Sequence, residues 1–249
     1  MPFFHFALRQ HSIVLDRGGE LGLHGYNHVP LCLEDAKLNE MYNYPPGWPS
    51  IDAMQLSLLE LNRFTSSIFP DAALNVYVPP SNVLCSSSRV WLPQVLPDLK
   101  IISSLYLEGD DDELVYVQEF TEAPDGIIEL PRITLGYELN EYMIWSLINE
   151  LSLHYVNSHF THPDDILSAD RNEQKRGWQY LLSTFEEYVK WLSESSPGLR
   201  NVTAKTGAMA VQRYDRLEVK TEFEENEMYV ITLGNFYDEA WLMMRSIKK

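Results

Sequence analysis

Between residues 20 and 158 the chain alternates short apolar runs with segments of helical period, and this alternation most restricts what it can fold into. The runs at 20–24, 73–78 (ALNVYV), 100–107 (KIISSLYL), 114–120 (LVYVQEF), 126–131 (GIIELP) and 153–158 (LHYVNS) are strand-length, and most are bounded by Pro, Gly or acidic turns. Helical spacing predicts helices at 8–18, from 51 to about 67, near 87–96, at 139–151 and over about 172–194. In the second of these, Met54, Leu58, Leu61 and Ile68 fall on one face. Strands alternating with helices predict an α/β fold built on a parallel sheet or barrel. After Pro197 the texture changes to a helix at 201–216 and then RLEVKTEFEENEMYVITLGNF, two strands around a Glu/Asn turn. The expected division is a barrel region over 1–197 and a helix-plus-hairpin tail over 198–249, which could begin a small β-domain.

A chain of 249 residues that is 45% apolar can bury a full core. Its 36 acidic against 19 basic residues give a net charge of −17, which repels nucleic acid and anionic membranes over most of the surface. Aromatic residues in presumed loops, Tyr42, Tyr44 and Trp48, could stack on sugars or cover a core edge. Cys32 and Cys85 are too few for a disulfide framework and too far apart for a zinc knuckle. The amino terminus has no basic region leading into an apolar core, and no apolar run is long enough to span a membrane. Both ends of the chain are abrupt and read as those of a fragment.

In parallel α/β folds the chemistry gathers at the carboxyl ends of the strands. Three polar clusters are expected there: His24 and His28 after the first strand, Ser81 and Asn82 in PPSN, and HFTHPDD with His159, His162, Asp164 and Asp165. Two imidazoles four residues apart can share a divalent ion when the loop turns helically, or can be ordinary loop histidines. His159 or His162 could donate a proton to a leaving group, while Asp164 or Asp165 could simply cap a helix. Ser81 and Asn82 could bond substrate or form a turn, and Glu129 and Arg132 could line a rim or pair with each other on the surface. The acidic run at 110–113 reads as a solvated hairpin tip. Neither a phosphate loop, a nucleophilic serine elbow nor a cysteine nucleophile pattern is present.

The stretch GGELGLHGYNH resembles the second motif of the polysaccharide deacetylase superfamily (NodB homology, carbohydrate esterase family 4). VYVPPSN sits where that family has its third motif, and NSHFTHPDD where it has its last. The resemblance covers roughly residues 8–195. It implies a partial or distorted (β/α) barrel of the polysaccharide deacetylase type, holding one divalent metal, zinc in most members, that hydrolyses N- or O-acetyl groups on a polysaccharide. By this likeness His24 and His28 are metal ligands and His159 is the catalytic acid, with His162 second. Ser81, Asn82 and Arg132 are expected to bind the polysaccharide or oligosaccharide substrate. The likeness also implies an extracellular or cell-envelope setting and allows self-association. The family's Asp-Asp motif, source of the third ligand and the base, should lie roughly 50 residues ahead of His24, which only 23 residues precede. An inactive or feeble deacetylase-like domain is therefore expected; the alternative is a non-catalytic glycan-binding or scaffolding relative. HPDD is also similar to a motif of LmbE-type sugar de-N-acetylases, where it belongs to the first strand.

Overall fold

A computed structural model describes residues 14–34, 47–104, 106–108, 114–116, 119–168, 172, 175–224 and 227–236. The central element is a sheet in the order β1-β2-β4-β8-β7, formed by β1 (Gly22–Leu23), β2 (Val76–Tyr77), β4 (Ile101–Ile102), β8 (Ile128–Glu129) and β7 (Thr121–Glu122). The first four are parallel and β7 is antiparallel at the edge. Register runs from Leu23 through Tyr77 and Ile102 to Glu129.

Both sheet faces are covered, as parallel strands require. Leu23, Tyr77 and Ile102 face one way, onto Met54 and Leu58 of α1 (Ile51–Ile68) and Trp91 and Leu92 of α2 (Ser86–Val95). Val76, Ile101 and Ile128 face the other way, onto Ala208 and Val211 of α5 (Ala204–Arg216). The helix assigned from sequence to the tail thus packs on the main sheet. Glu20, just before β1, accepts from the Thr203 hydroxyl at 2.8 Å and the Lys205 amide at 2.9 Å, tying the start of α5 to the first strand.

Local chemistry explains several boundaries. Ser50 caps α1, its hydroxyl accepting from the Ala53 amide, and Asn140 caps α3 (Glu141–Leu153) by accepting from the Met143 amide. Three smaller sheets complete the fold. They are β3 (Val83–Cys85) with β5 (Tyr106–Glu108) and β6 (Leu114–Tyr116), the parallel pair β9 (Thr134–Leu135) and β10 (His159–Phe160), and the hairpin β11 (Glu218–Glu224) with β12 (Glu227–Gly234). The helix expected over 172–194 is α4 (Trp178–Ser195). No helix among the described residues is long and apolar enough to cross a membrane.

The α/β class, the parallel sheet and the carboxyl-terminal hairpin stand as expected. No closed barrel forms among the described residues, because the main sheet is open and the other strands pair separately. The run 100–107 divides between β4 and β5, which belong to different sheets. The strand expected at 153–158 is absent: α3 continues to Leu153, and pairing resumes only at His159. The acidic run 110–113, Tyr42 and Tyr44, and the first part of the helix expected at 8–18 lie outside the described residues.

Cys32 and Cys85, too few for a disulfide framework, form a single disulfide with Cα atoms 5.4 Å apart. It ties the segment after His28 to the end of β3. Leu31 bridges Leu84, and the buried Ser88 hydroxyl donates to the Leu31 carbonyl at 2.7 Å. Because the crosslink spans 53 residues, loop entropy predicts that replacing both cysteines by serine lowers stability by up to about 4 kcal/mol. Denaturant melts of the two proteins under non-reducing conditions measure this directly.

Candidate functional site

His24 immediately follows β1. Its Nδ1–H donates to the Val78 carbonyl, just past β2, at 2.8 Å. A carbonyl can only accept, so this bond places the proton on Nδ1 and leaves Nε2 of the neutral ring as an acceptor. Desolvation is the main influence holding the His24 pKa below the usual histidine value. His28, Arg132 and His162 add to the lowering, and the Val78 bond opposes it. These three residues come from distant parts of the sequence and surround one imidazole.

The backbone around the histidines is tightly specified. Gly25 has φ +71°, and a Cβ there would lie 2.6 Å from Pro80 Cγ, so only glycine allows the loop to close onto Pro80. Asn27 and His28 adopt left-handed φ values of 52° and 57°, which brings the His28 ring edge-on to His24 with centroids 4.9 Å apart. Beyond β2, Ser81 and Asn82 are left-handed too, at 56° and 66°. Such residues cost of order 1 kcal/mol each and persist where surrounding structure enforces them. The Ser81 hydroxyl is buried without a hydrogen-bond partner.

Arg132, beyond β8, donates from Nη2 to the Asn82 side-chain oxygen and stacks its guanidinium 4.5 Å from the centroid of Phe160 on β10. Phe160 also meets His162 edge-on at 5.4 Å. The Tyr137 hydroxyl donates to the His162 carbonyl at 3.0 Å, and His162 Nδ1 lies 4.0 Å from an Asp165 oxygen. His24, His28, Asn82, Arg132 and His162 therefore form one neighbourhood at the carboxyl ends of β1, β2, β8 and β10, with Ser81 at its edge.

His159 points elsewhere. Instead of lying beyond a strand end, it is the first residue of β10, and successive strand residues face opposite sides. Its Nε2–H donates to the Gly136 carbonyl at 2.9 Å, Nδ1 lies 3.1 Å from the Thr134 hydroxyl, and the ring stacks on Tyr188 at 4.8 Å. Both nitrogens are engaged, and burial lowers the pKa, so the ring is a neutral structural link. Glu129 does not pair with Arg132, one of the two alternatives left open by the sequence. It pairs with Arg89 of α2, which also bonds Asp125, because Glu129 faces the helix layer rather than the cleft. That orientation also takes Arg89 away from the histidines.

Sequence reasoning missed the polar chain behind His159. The Asn157 amide donates to Glu150 at 2.7 Å and to the Thr134 hydroxyl at 2.9 Å, and Thr134 reaches His159. Glu150 is buried, and desolvation raises its pKa to about 7 against the relief of the Asn157 bond. A signal existed, since Glu150 shares the buried stripe of α3 with Met143, Ser146 and Leu147 at helical spacing.

The sign of the pH effect follows. A carboxyl whose folded pKa lies above its unfolded value contributes stability below about pH 4.5, and this is lost as pH rises through 7. Glu150→Gln is neutral throughout and is expected to be more stable than the parent at pH 8, by about 2 kcal/mol, with the difference shrinking by pH 5. Thermal melts of both proteins across that range check the prediction; equal melting points at pH 8 would reject it.

Comparison with known proteins adds a family. No curated protein and no solved structure matches the chain. A family model described as "Uncharacterised protein conserved in bacteria (DUF2194)" matches residues 3–249, so the chain belongs to the DUF2194 family.

Proposed function

We propose that the cleft is a polysaccharide deacetylase-type site on a barrel-like α/β scaffold, in which His24 and His28 hold a divalent ion, zinc by ligand chemistry. One observation carries this reading: His24, its proton committed to Val78, stands beside His28 and within electrostatic reach of His162 at the carboxyl ends of parallel strands. A backbone acceptor on the far nitrogen is the support that metal-ligating histidines use to fix tautomer and orientation. The lowered His24 pKa keeps the ring in its ligating form at neutral pH.

The ion would polarise an acetyl carbonyl and lower the pKa of bound water. The remaining work belongs to the chain. Phe160, backed by Arg132, offers a flat surface for a sugar ring, and Asn82 and Ser81 face the same cleft. The proton donor to the leaving group is His162 rather than His159, since both His159 nitrogens are engaged. The Cys32–Cys85 bond accords with an oxidising setting such as the cell envelope.

Among the described residues no group of three His, Cys, Asp or Glu side chains is placed to hold a metal. Two imidazoles alone hold zinc weakly, and loss of a general base costs about 10²–10⁴-fold in rate. The chain alone is therefore a feeble enzyme. The same observation favours a second reading, a glycan-binding relative without turnover.

Metal analysis and acetate release separate the two. The first reading expects zinc in the purified chain, lost on combined His24→Ala and His28→Ala substitution, with slow acetate release from acetylated chito-oligosaccharide that disappears in the same variant. A well-folded chain that takes up no zinc, yet binds the oligosaccharide, supports the second.

A further inference from the structure

Arg132 is a cation without an anion. Its guanidinium is partly buried, and desolvation, unrelieved by any neighbouring carboxylate among the described residues, presses its pKa down to about 10. It remains charged at neutral pH. Arg89, Arg63 and Arg216 each pair with an acid, Arg89 with two, in a chain that carries 36 acidic residues. For Arg132 the partners among the described residues are neutral: the Asn82 side-chain oxygen and the Phe160 ring. Among the described residues its buried Nε–H has no acceptor, and the nearby Ser81 hydroxyl is likewise unsatisfied. Leaving such donors unmade costs about 1–3 kcal/mol each, more for a charged group.

The surroundings suit an anion. His24 is under the electrostatic influence of Arg132, His28 and His162, and no acid is among the groups acting on it. Asp165 is an acid near this group, 4.0 Å from His162 Nδ1. Asn82 holds one edge of the guanidinium and Phe160 covers a face, which fixes the plane of the remaining donors for a planar two-oxygen acceptor. A net charge of −17 opposes approach of a long polyanion but tolerates one acidic group delivered into a local positive niche.

We infer that Arg132 is the recognition residue for the carboxylate of an acidic sugar, so that the cleft takes an acyl-bearing glycan with a uronate beside the acylated residue. This rests on the deacetylase-type reading of the same cleft and narrows its substrate class. The carboxylate satisfies the unused Arg132 donors, and Phe160 supports the adjoining ring. A neutral glycan leaves those donors buried and unpaired.

The test measures binding by calorimetry to three probes: a disaccharide of glucuronate and N-acetylglucosamine, neutral chitotetraose, and inorganic phosphate. The full chain is compared with Arg132→Gln and Arg132→Lys, each checked for an unchanged circular dichroism spectrum and melting point. The expected result is preference for the acidic disaccharide, weakened about 10- to 100-fold by Arg132→Gln and partly restored by Arg132→Lys, while chitotetraose binding weakens far less. Equal loss for acidic and neutral probes, or no loss for either, overturns the inference. Phosphate binding as tight as the disaccharide overturns the carboxylate assignment. Repeating the titration after chelation, and in the His24→Ala/His28→Ala chain, separates the two proposals. Arg132-dependent binding with no zinc uptake sinks only the metal reading, whereas zinc uptake without Arg132-dependent selectivity sinks only this inference.

Discussion

Val78 joins the sheet to the site. Its amide donates to the Leu23 carbonyl at 2.8 Å, continuing the pairing of the first two strands, and its carbonyl accepts the His24 proton. The position of His24 is therefore a consequence of strand register. A slip of one residue would turn Leu23 and Tyr77 out of the core and carry His24 to the wrong face. Burial of those apolar side chains under α1 and α2 thus holds an imidazole in place outside the core. Gly25, the left-handed Asn27 and His28, and the crosslink at Cys32 then fix the loop that follows.

The polar groups around this frame divide by how their charge is settled. Arg89 pairs with both Glu129 and Asp125 between α2 and the sheet. Glu150 meets burial with a raised pKa, and its hydrogen-bonded neighbours orient His159, whose neutral form burial favours. Arg132 does neither. A desolvated cation with neutral partners lowers the stability of the fold, and exceptions of this kind concentrate where a protein binds something.

Several residues were legible in advance for a physical reason. Apolar periodicity marked α1, α2, α3 and the strand cores, because side chains in a helix or strand must repeat at 3.6 or 2 residues to share a face. Gly18 and Gly19, Ser50 and Pro79-Pro80 marked ends. His24, His28, Asn82, Arg132 and His162 were singled out because they follow strand-like runs, and parallel strands gather such residues at one end. The reading failed where periodicity is silent. Residues 154–158 are apolar enough for a strand but are not paired, so the true strand begins later. That shift of a few positions puts His159 inside a strand rather than beyond its end, with its ring turned toward Gly136, Thr134 and Tyr188.

The sequence by itself determined the α/β class, the succession of elements and a short set of polar candidates, because these depend on local periodicity, turn chemistry and residue type. Tertiary structure alone decided which candidates meet. The bond from His24 to Val78, the stacking of Arg132 on Phe160, the pairing of Arg89 with Glu129 and the Cys32–Cys85 crosslink join residues 28 to 54 positions apart. Such contacts depend on register between strands and on which sheet face each residue takes. Both are set by long-range packing, which no local pattern encodes.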